Sequence, residues 1–103
     1  MNIVIYMYDG MTMLDAIGPY EILRNIEGAH IKFVSKKKEE ITADSHFVHI
    51  NSKYGIDEVT EADILLIPGS TIAFVREMKD IEVLNWIKKI DATTRRTVTV
   101  CTG

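Results

Sequence analysis

The one cysteine of the chain, Cys101, stands where a nucleophile would be expected. It follows the strand-forming segment Thr97–Val100 and precedes Thr102 and Gly103. A thiol on a tight turn after a strand projects above the sheet, and the N–H of the next residue can stabilise developing negative charge. From this residue alone two interpretations stay open. One is a reactive thiolate, and the other is a buried structural cysteine, because free cysteine is among the most buried residue types.

A carboxyl group that could exchange a proton with this thiol is offered by Asp15. It lies just before Gly18 and Pro19. An aspartate near the start of a helix most often caps it. Pro19 prefers the first helical position, however, and that would place Asp15 too early to cap. The alternative is an acid that shuttles a proton to and from Cys101.

A glycine turn, Gly69-Ser70, follows Pro68 at the end of another predicted strand. It is either a plain strand terminator or a source of backbone N–H groups for an anion pocket. Open α/β sheets place their sites just outside the carboxyl ends of the strands. We therefore expect the thiol, the carboxyl group and the glycine turn to meet on one edge of the sheet.

The three histidines do not form a metal-binding pattern. His46 and His49 lie three residues apart in a strand-like segment and therefore face opposite sides, and His30 is isolated. We predict that all three are surface or edge residues, and that the protein uses neither a metal nor another cofactor.

Composition narrows the class of protein. The 103 residues carry a net charge of −3, with 47% hydrophobic and 26% charged residues, which is typical of one globular domain spanning 1–103. The longest apolar run, Ile3–Tyr8, is far shorter than the ~20 residues of a membrane helix. Mild acidity disfavours nucleic acid and favours a small-molecule substrate or a protein partner. A single cysteine and no visible secretory signal indicate the cytoplasm.

The elements that must position these residues follow from hydrophobic patterning. Strands are predicted at Asn2–Tyr8, Ala29–Ser35, Asp63–Pro68 and Thr97–Val100, with short β segments within Ile41–Ile50. Helices are predicted between Met13 and Glu27, at Thr71–Met78, and from a cap at Asp80 to about Asp91. Lys36–Glu40 is predicted as an exposed hairpin tip and Ser52–Glu61 as a loop. The alternation indicates an α/β fold, a parallel sheet with helices on both faces.

Apolar faces are predicted for two of the helices. In the first, the stripe consists of Ile22, Leu23 and Ile26. In the last, the buried face consists of Val83, Leu84, Ile87 and Ile90, with Trp86 at its margin.

Taken together, these pieces resemble the ThiJ/PfpI superfamily, which has the flavodoxin-like, class I glutamine amidotransferase-like fold. The matching segments are the N-terminal strand, Leu14–Pro19 (LDAIGP), Ile67–Ser70 (IPGS) and Val100–Gly103 (VCTG). The resemblance is strongest to the isonitrile hydratase branch and to the ligand-sensing halves of certain AraC-type regulators. The family motif often reads PGG where this chain has Pro68-Gly69-Ser70.

The resemblance implies a role for each of these residues. Cys101 would be the nucleophile at the turn, called the nucleophile elbow, and Asp15 its acid/base partner. Gly69 and Ser70, with the Thr102 amide, would line the anion pocket. Family members are usually homodimers with the site near the interface, so a homodimer is expected here, burying apolar surface of the first helix.

Two classes of function follow from the resemblance. The first is a cysteine-nucleophile enzyme that hydrates an isonitrile to an N-formamide. The second is a non-catalytic sensor domain of an AraC-type regulator, with peptidase or glycation-repair activity as a further alternative. Joint presence of Asp15, Cys101 and Thr102 favours the enzyme, because a binding pocket does not need an acid beside a thiol.

The family domain normally continues for about as long again beyond the elbow. We therefore expect these residues to be the N-terminal part of a domain truncated after the elbow. The remainder would come from the same polypeptide or from a second chain, because the strand Thr97–Val100 would otherwise expose its edge.

Overall fold

The computed structural model describes all of residues 1–103, which form a five-stranded sheet with helices on both faces and a separate two-stranded hairpin. Five parallel strands form the sheet in the order β5-β2-β1-β6-β7. Their bounds are β1 Asn2–Met7, β2 His30–Ser35, β5 Tyr54–Gly55, β6 Ile64–Ile67 and β7 Arg96–Thr99. Strands β3, Glu40–Thr42, and β4, His49–Asn51, form a separate antiparallel hairpin. The helices are α1 Leu14–Leu23, α2 Phe74–Glu77 and α3 Ile81–Asp91, and a 3₁₀ turn spans Ile56–Glu58. The predicted fold class is confirmed.

The core is built around β1, because this central strand is covered on both sides. Every residue from Ile3 to Met7 is buried. Ile5 pairs with Phe33, whose ring lies 5.2 Å from the Tyr20 ring of α1. The next residue along β1, Tyr6, points to the opposite face and lies 5.8 Å from the Trp86 ring of α3. A strand enclosed by α1 and α3 must be apolar at successive positions, as its sequence is.

Helix α1 begins five residues earlier than its proline suggested. It starts at Leu14 and contains Pro19. The fixed φ of proline suits a helix, and its missing N–H affects only the carbonyl of Asp15 in the first turn. The helix ends at Leu23 and not at Glu27. Ile22 is 74% exposed and Ile26 39% exposed, so the predicted apolar stripe is wrong for both.

Helix α3 was predicted with the right bounds and cap. Asp80 is its N-cap, and its side chain accepts a hydrogen bond from the Val83 N–H. Its buried face differs from the prediction, since Trp86 is buried whereas Leu84 is 40% exposed. Trp86 turns inward because its indole N–H donates to the Val59 carbonyl at 2.9 Å.

Two connections also differ from prediction. Of the predicted hairpin tip Lys36–Glu40, residues 36–39 join β2 to β3 and Glu40 begins β3, and the turn of the hairpin lies at residues 43–48 instead. Lys36 is drawn towards α3 by the Asp80 carboxylate, 2.9 Å away. Within the predicted loop Ser52–Glu61, Tyr54 and Gly55 pair with the end of β2 and form the edge strand β5. Such a two-residue strand carries no periodicity that a sequence pattern could show.

None of the three helices has the length and apolar content that crossing a membrane requires.

Candidate functional site

The turn after β7 holds Cys101 outside the sheet. The Gly103 N–H donates to the Val100 carbonyl at 2.9 Å and closes the turn, and Val100 is held by the Ile67 carbonyl of β6 at 3.1 Å. Cys101 has a φ of 55°, in the left-handed region that non-glycine residues rarely adopt. Its side chain is exposed within residues 1–103.

Gly103 is required by the close approach of two backbones. A Cβ on this residue would lie 2.1 Å from the Ile67 carbonyl oxygen and 3.0 Å from the Pro68 carbonyl carbon. No side chain fits there. A glycine two residues after the cysteine therefore lets the turn fold back tightly on β6, which presents Cys101 to solvent.

Asp15 lies next to the elbow, brought there by the first turn of α1. It does not cap the helix, whose N-cap is Met13. Instead its Oδ2 accepts a hydrogen bond from the Gly69 N–H at 3.2 Å. A Cβ on Gly69 would lie 3.0 Å from that oxygen and 2.7 Å from the Thr102 nitrogen. The carboxylate and the amide after Cys101 are thus separated by little more than the bare backbone of Gly69.

Thr102 locks the glycine turn to the elbow. Its hydroxyl accepts from the Ser70 N–H at 2.9 Å and donates to the Ser70 carbonyl at 3.0 Å. The Ser70 hydroxyl in turn accepts from the Phe74 N–H at 2.7 Å. The ends of β6 and β7 and the start of α2 are therefore one connected network. The structure brings together Asp15, Gly69, Ser70 and Thr102.

Of the three residues expected to line an anion pocket, Thr102 has a free amide in this structure, whereas Gly69 and Ser70 do not. The N–H groups of Gly69 and Ser70 are occupied, by the Asp15 carboxylate and by the Thr102 hydroxyl. The N–H groups of Cys101 and Thr102 have no acceptor in the protein. In this state an anion at the elbow would meet the two consecutive amides of the elbow itself.

Asp44 is a part of the site's frame that the sequence did not reveal. It lies in the turn of the β3–β4 hairpin, and its Oδ2 accepts from the hydroxyls of Thr12 and Thr71, both at 2.9 Å. These hydrogen bonds lower the pKa of Asp44, and the bond from Thr12 has the largest effect. Thr12 precedes α1, and its N–H donates to the Gly69 carbonyl at 2.8 Å. The hairpin therefore fastens the segments that carry Asp15 and Ser70.

Tyr8 supports the same segment from inside the protein. Its buried hydroxyl donates to the Pro68 carbonyl at 2.7 Å, and burial raises the pKa of Tyr8. Because a buried tyrosine hydroxyl needs a hydrogen-bond partner, the sequence could have predicted that Tyr8 donates a hydrogen bond. It could not have predicted that the acceptor is the Pro68 carbonyl. Asp44 gave no signal, since its partners lie 27 and 32 residues away.

The histidines take no part in this site. His30, His46 and His49 are all exposed, as predicted. No group of three His, Cys, Asp or Glu side chains is arranged to hold a metal ion.

Comparison with known proteins identifies a matching family and several similar structures. The model of the DJ-1/PfpI family matches residues 1–103, and no curated protein matches. A ThiJ/PfpI family protein from Pseudomonas syringae has a similar structure, with a TM-score of 0.92 and 26% identity over 97% of this chain. Drosophila melanogaster DJ-1beta gives a TM-score of 0.84 at 13% identity over 98% of this chain, and oxidized Toxoplasma gondii DJ-1 gives 0.81 at 17% over 97%. Because their sequence identity to this chain is so low, the two DJ-1 structures show only that the fold is shared.

These structures are longer than this chain. The 103 residues cover 41% of the Pseudomonas syringae protein and 55% of each of the two DJ-1 chains.

Proposed function

Because this chain belongs to the DJ-1/PfpI family, we propose that it provides the nucleophile of a cysteine enzyme that hydrates an isonitrile to an N-formamide. The observation that carries the proposal is the elbow: an exposed Cys101 at positive φ, unpaired amides on Cys101 itself and on Thr102, and the Asp15 carboxylate next to them.

Each part of the elbow suits addition of a thiolate to a carbon electrophile. An exposed thiol can be reached by a substrate, and strained backbone at a non-glycine residue is typical of functional positions. The Cys101 and Thr102 amides can stabilise charge that develops on the substrate. The Asp15 carboxyl group is the nearby acid that a binding pocket would not need.

The proposed reaction is balanced by one water molecule. The Cys101 sulfur forms a bond to the isonitrile carbon while Asp15 delivers to that carbon the proton that the thiol gave up, and this yields a thioimidate. Water then adds across the C=N bond, with its oxygen on carbon and one hydrogen on nitrogen. The C–S bond breaks, the thiolate leaves and is reprotonated from the hydroxyl group through Asp15, and the N-formamide is released.

Asp15 and Cys101 must share a proton for this sequence to work. Two negative charges at one reaction centre would oppose each other, so in the proposed sequence the Asp15 carboxyl group holds the proton while the Cys101 thiolate attacks. Asp15→Asn keeps the shape of the side chain but cannot pass a proton.

The test is formation of the N-formamide from cyclohexyl isocyanide by the full-length protein, followed by chromatography. We expect Cys101→Ser to abolish turnover and Asp15→Asn to lower it at least a hundredfold. Asp57→Asn, in the exposed 3₁₀ turn, is the matched control and should react at the parent rate. An unchanged rate in Asp15→Asn would remove this residue from the mechanism, and an inactive parent protein would overturn the proposed reaction.

The setting of the enzyme is part of the proposal. A lone cysteine suits a reducing compartment, so we propose the cytoplasm. The mass of the intact polypeptide would show whether further chain accompanies these residues, as it does in the longer structures of the family.

A further inference from the structure

The Asp15 carboxyl group is oriented within the protein by one hydrogen bond. Its Oδ2 accepts from the Gly69 N–H at 3.2 Å, at the long end of the ordinary range. No ion pair of the protein includes Asp15. The position of this acid therefore depends on how closely the segment that carries it approaches the glycine turn.

A ring of three hydrogen bonds sets that approach. The Thr12 N–H donates to the Gly69 carbonyl at 2.8 Å, and the Asp15 N–H donates to the Thr12 carbonyl at 3.1 Å. The Gly69 N–H then closes the ring on the Asp15 carboxylate. Because Thr12 bonds to both of the other residues, a shift of Thr12 relative to Gly69 moves the acid.

Asp44 fixes Thr12 from outside this ring. Its Oδ2 accepts from the hydroxyls of Thr12 and Thr71, both at 2.9 Å. Two hydroxyl oxygens held by one atom can lie no further apart than twice that distance. Thr71 directly follows Ser70, whose N–H donates to the Thr102 hydroxyl. One carboxylate oxygen therefore joins the segment of the acid to the segment bonded to the elbow.

We propose that Asp44 is a positioning residue: its carboxylate holds the two threonine segments at a fixed separation and so aligns the Asp15 carboxyl group with the elbow. The effect on turnover rests on the proposed function, whereas the alignment of Asp15 with Gly69 does not. Misplacement of reacting groups by about 1 Å can cost a hundredfold in rate. Loss of the Asp44 carboxylate should therefore lower kcat far more than it raises KM.

The fold does not depend on this carboxylate. In Asp44→Ala the backbone N–H of residue 44 still donates to the Met11 carbonyl, a bond of 2.9 Å in the parent protein, and the bridge from Met11 to Ser70 remains. Thr12 is partly exposed and Thr71 is exposed, so water can accept from the freed hydroxyls. The variant should fold with the separation of the two segments no longer fixed.

Asp9 offers a matched control, because it fastens the same hairpin at another point. Its Oδ1 accepts from the Thr42 N–H of β3 at 2.9 Å, and its side chain bonds to neither Thr12 nor Thr71. Asp9→Ala therefore loosens the hairpin but leaves the two hydrogen bonds of Asp44 in place. A merely structural role of Asp44 would make the two variants alike.

The test is hydrogen exchange of single amides, followed by NMR on the full-length protein without substrate. The Gly69 amide should exchange about tenfold faster or more in Asp44→Ala and less than about twofold faster in Asp9→Ala. The amides of β1 exchange on global unfolding, and they should change equally in both variants. Thr12→Val, which removes one donor, should also speed exchange at Gly69, and it serves as the test if Asp44→Ala does not fold.

Isonitrile turnover gives the second measurement. Asp44→Ala should lower kcat about tenfold or more and change KM less than about twofold. Asp44→Asn keeps an acceptor in the same place and should restore both the parent exchange at Gly69 and most of kcat. Thr12→Val should add no further loss to Asp44→Ala, since both changes remove the same hydrogen bond.

Three results would overturn the proposal: parent exchange at Gly69 in Asp44→Ala, equal exchange there in Asp44→Ala and Asp9→Ala, or Asp44→Asn that behaves as Asp44→Ala. If the parent protein hydrates no isonitrile but exchange at Gly69 responds as expected, the proposed reaction fails and the positioning of Asp15 stands. The two failures are therefore observed separately.

Discussion

Replacement of Gly69 by alanine should separate the acid from the elbow. The new Cβ would lie 2.7 Å from the Thr102 nitrogen, 2.7 Å from the Val100 carbonyl oxygen and 3.0 Å from Asp15 Oδ2. Two of these atoms belong to backbone, so no side chain can rotate away to relieve the contacts. The turn that carries Cys101 must shift by about half an ångström to restore ordinary contact distances.

The magnitude follows from overpacking. Forced insertion of a methyl group into a closely packed region costs about 1–3 kcal/mol, and for a chain of this size 1 kcal/mol corresponds to about 4–8 °C in Tm. The effect on reaction should be larger, because misplacement of reacting groups by about 1 Å can cost a hundredfold. We therefore expect a modest loss of stability and a loss of isonitrile turnover of ten- to a hundredfold.

The assay combines thermal unfolding followed by circular dichroism with alkylation of Cys101 by iodoacetamide over a range of pH. Gly18→Ala is the matched control, because its Cβ would meet Leu14 Cδ1 at an ordinary 3.6 Å and alanine favours a helix over glycine. It should keep the parent rate and unfold at the parent temperature or above. If Gly69→Ala has the parent pH profile and turnover, the close contact of Asp15, Gly69 and Thr102 does not organise the site.

Three further predictions concern the frame of the fold and its association. Asp80→Ala should cost about 1 kcal/mol, because it removes the cap of α3. The pKa of Asp80 is lowered in the folded protein, first by its hydrogen bond from Lys36. The stability that ionised Asp80 contributes is therefore present at neutral pH and is lost as pH falls through the lowered pKa. Between pH 7 and pH 3, the free energy of unfolding in urea should change less for Asp80→Ala than for the parent protein. Tyr8→Phe should cost about 1–3 kcal/mol by leaving a buried carbonyl unpaired, whereas Tyr54→Phe, whose hydroxyl donates no hydrogen bond, should cost under about 0.5 kcal/mol in the same urea titrations. We expect a homodimer through α1, where Leu14 and Ile22 are exposed; Ile22→Glu should then give a monomer by light scattering, and a monomeric parent protein would contradict the expectation.

Helix α3 shows how far local patterning reaches. Its start at Asp80 and its end at Asp91 were predicted correctly, because the cap and the apolar spacing act within a few residues. Its buried face was not, since Trp86 is turned inward by a hydrogen bond to Val59, 27 residues away. Pro19 misplaced the start of α1 for a related reason. The preference of proline for the first turn of a helix depends only on its own ring. The start of α1 depends instead on a distant contact, the hydrogen bond from the Thr12 N–H to the Gly69 carbonyl.

The sequence by itself determined the α/β class, the central buried strand and the candidates at three strand ends, because periodicity of apolar residues and motif spacing are properties of neighbouring residues. The sequence also shows a glycine, Gly103, two residues after Cys101, but it does not show why a glycine is needed there. Only the tertiary structure decided that Gly103 has no room for a Cβ beside Ile67, and that Thr102 and Asp15 occupy the Ser70 and Gly69 amides. Only the tertiary structure placed Asp44 against Thr12 and Thr71. These contacts join residues about 30 to 50 positions apart, and parallel strands joined by crossovers bring such residues together without any local signal in the chain.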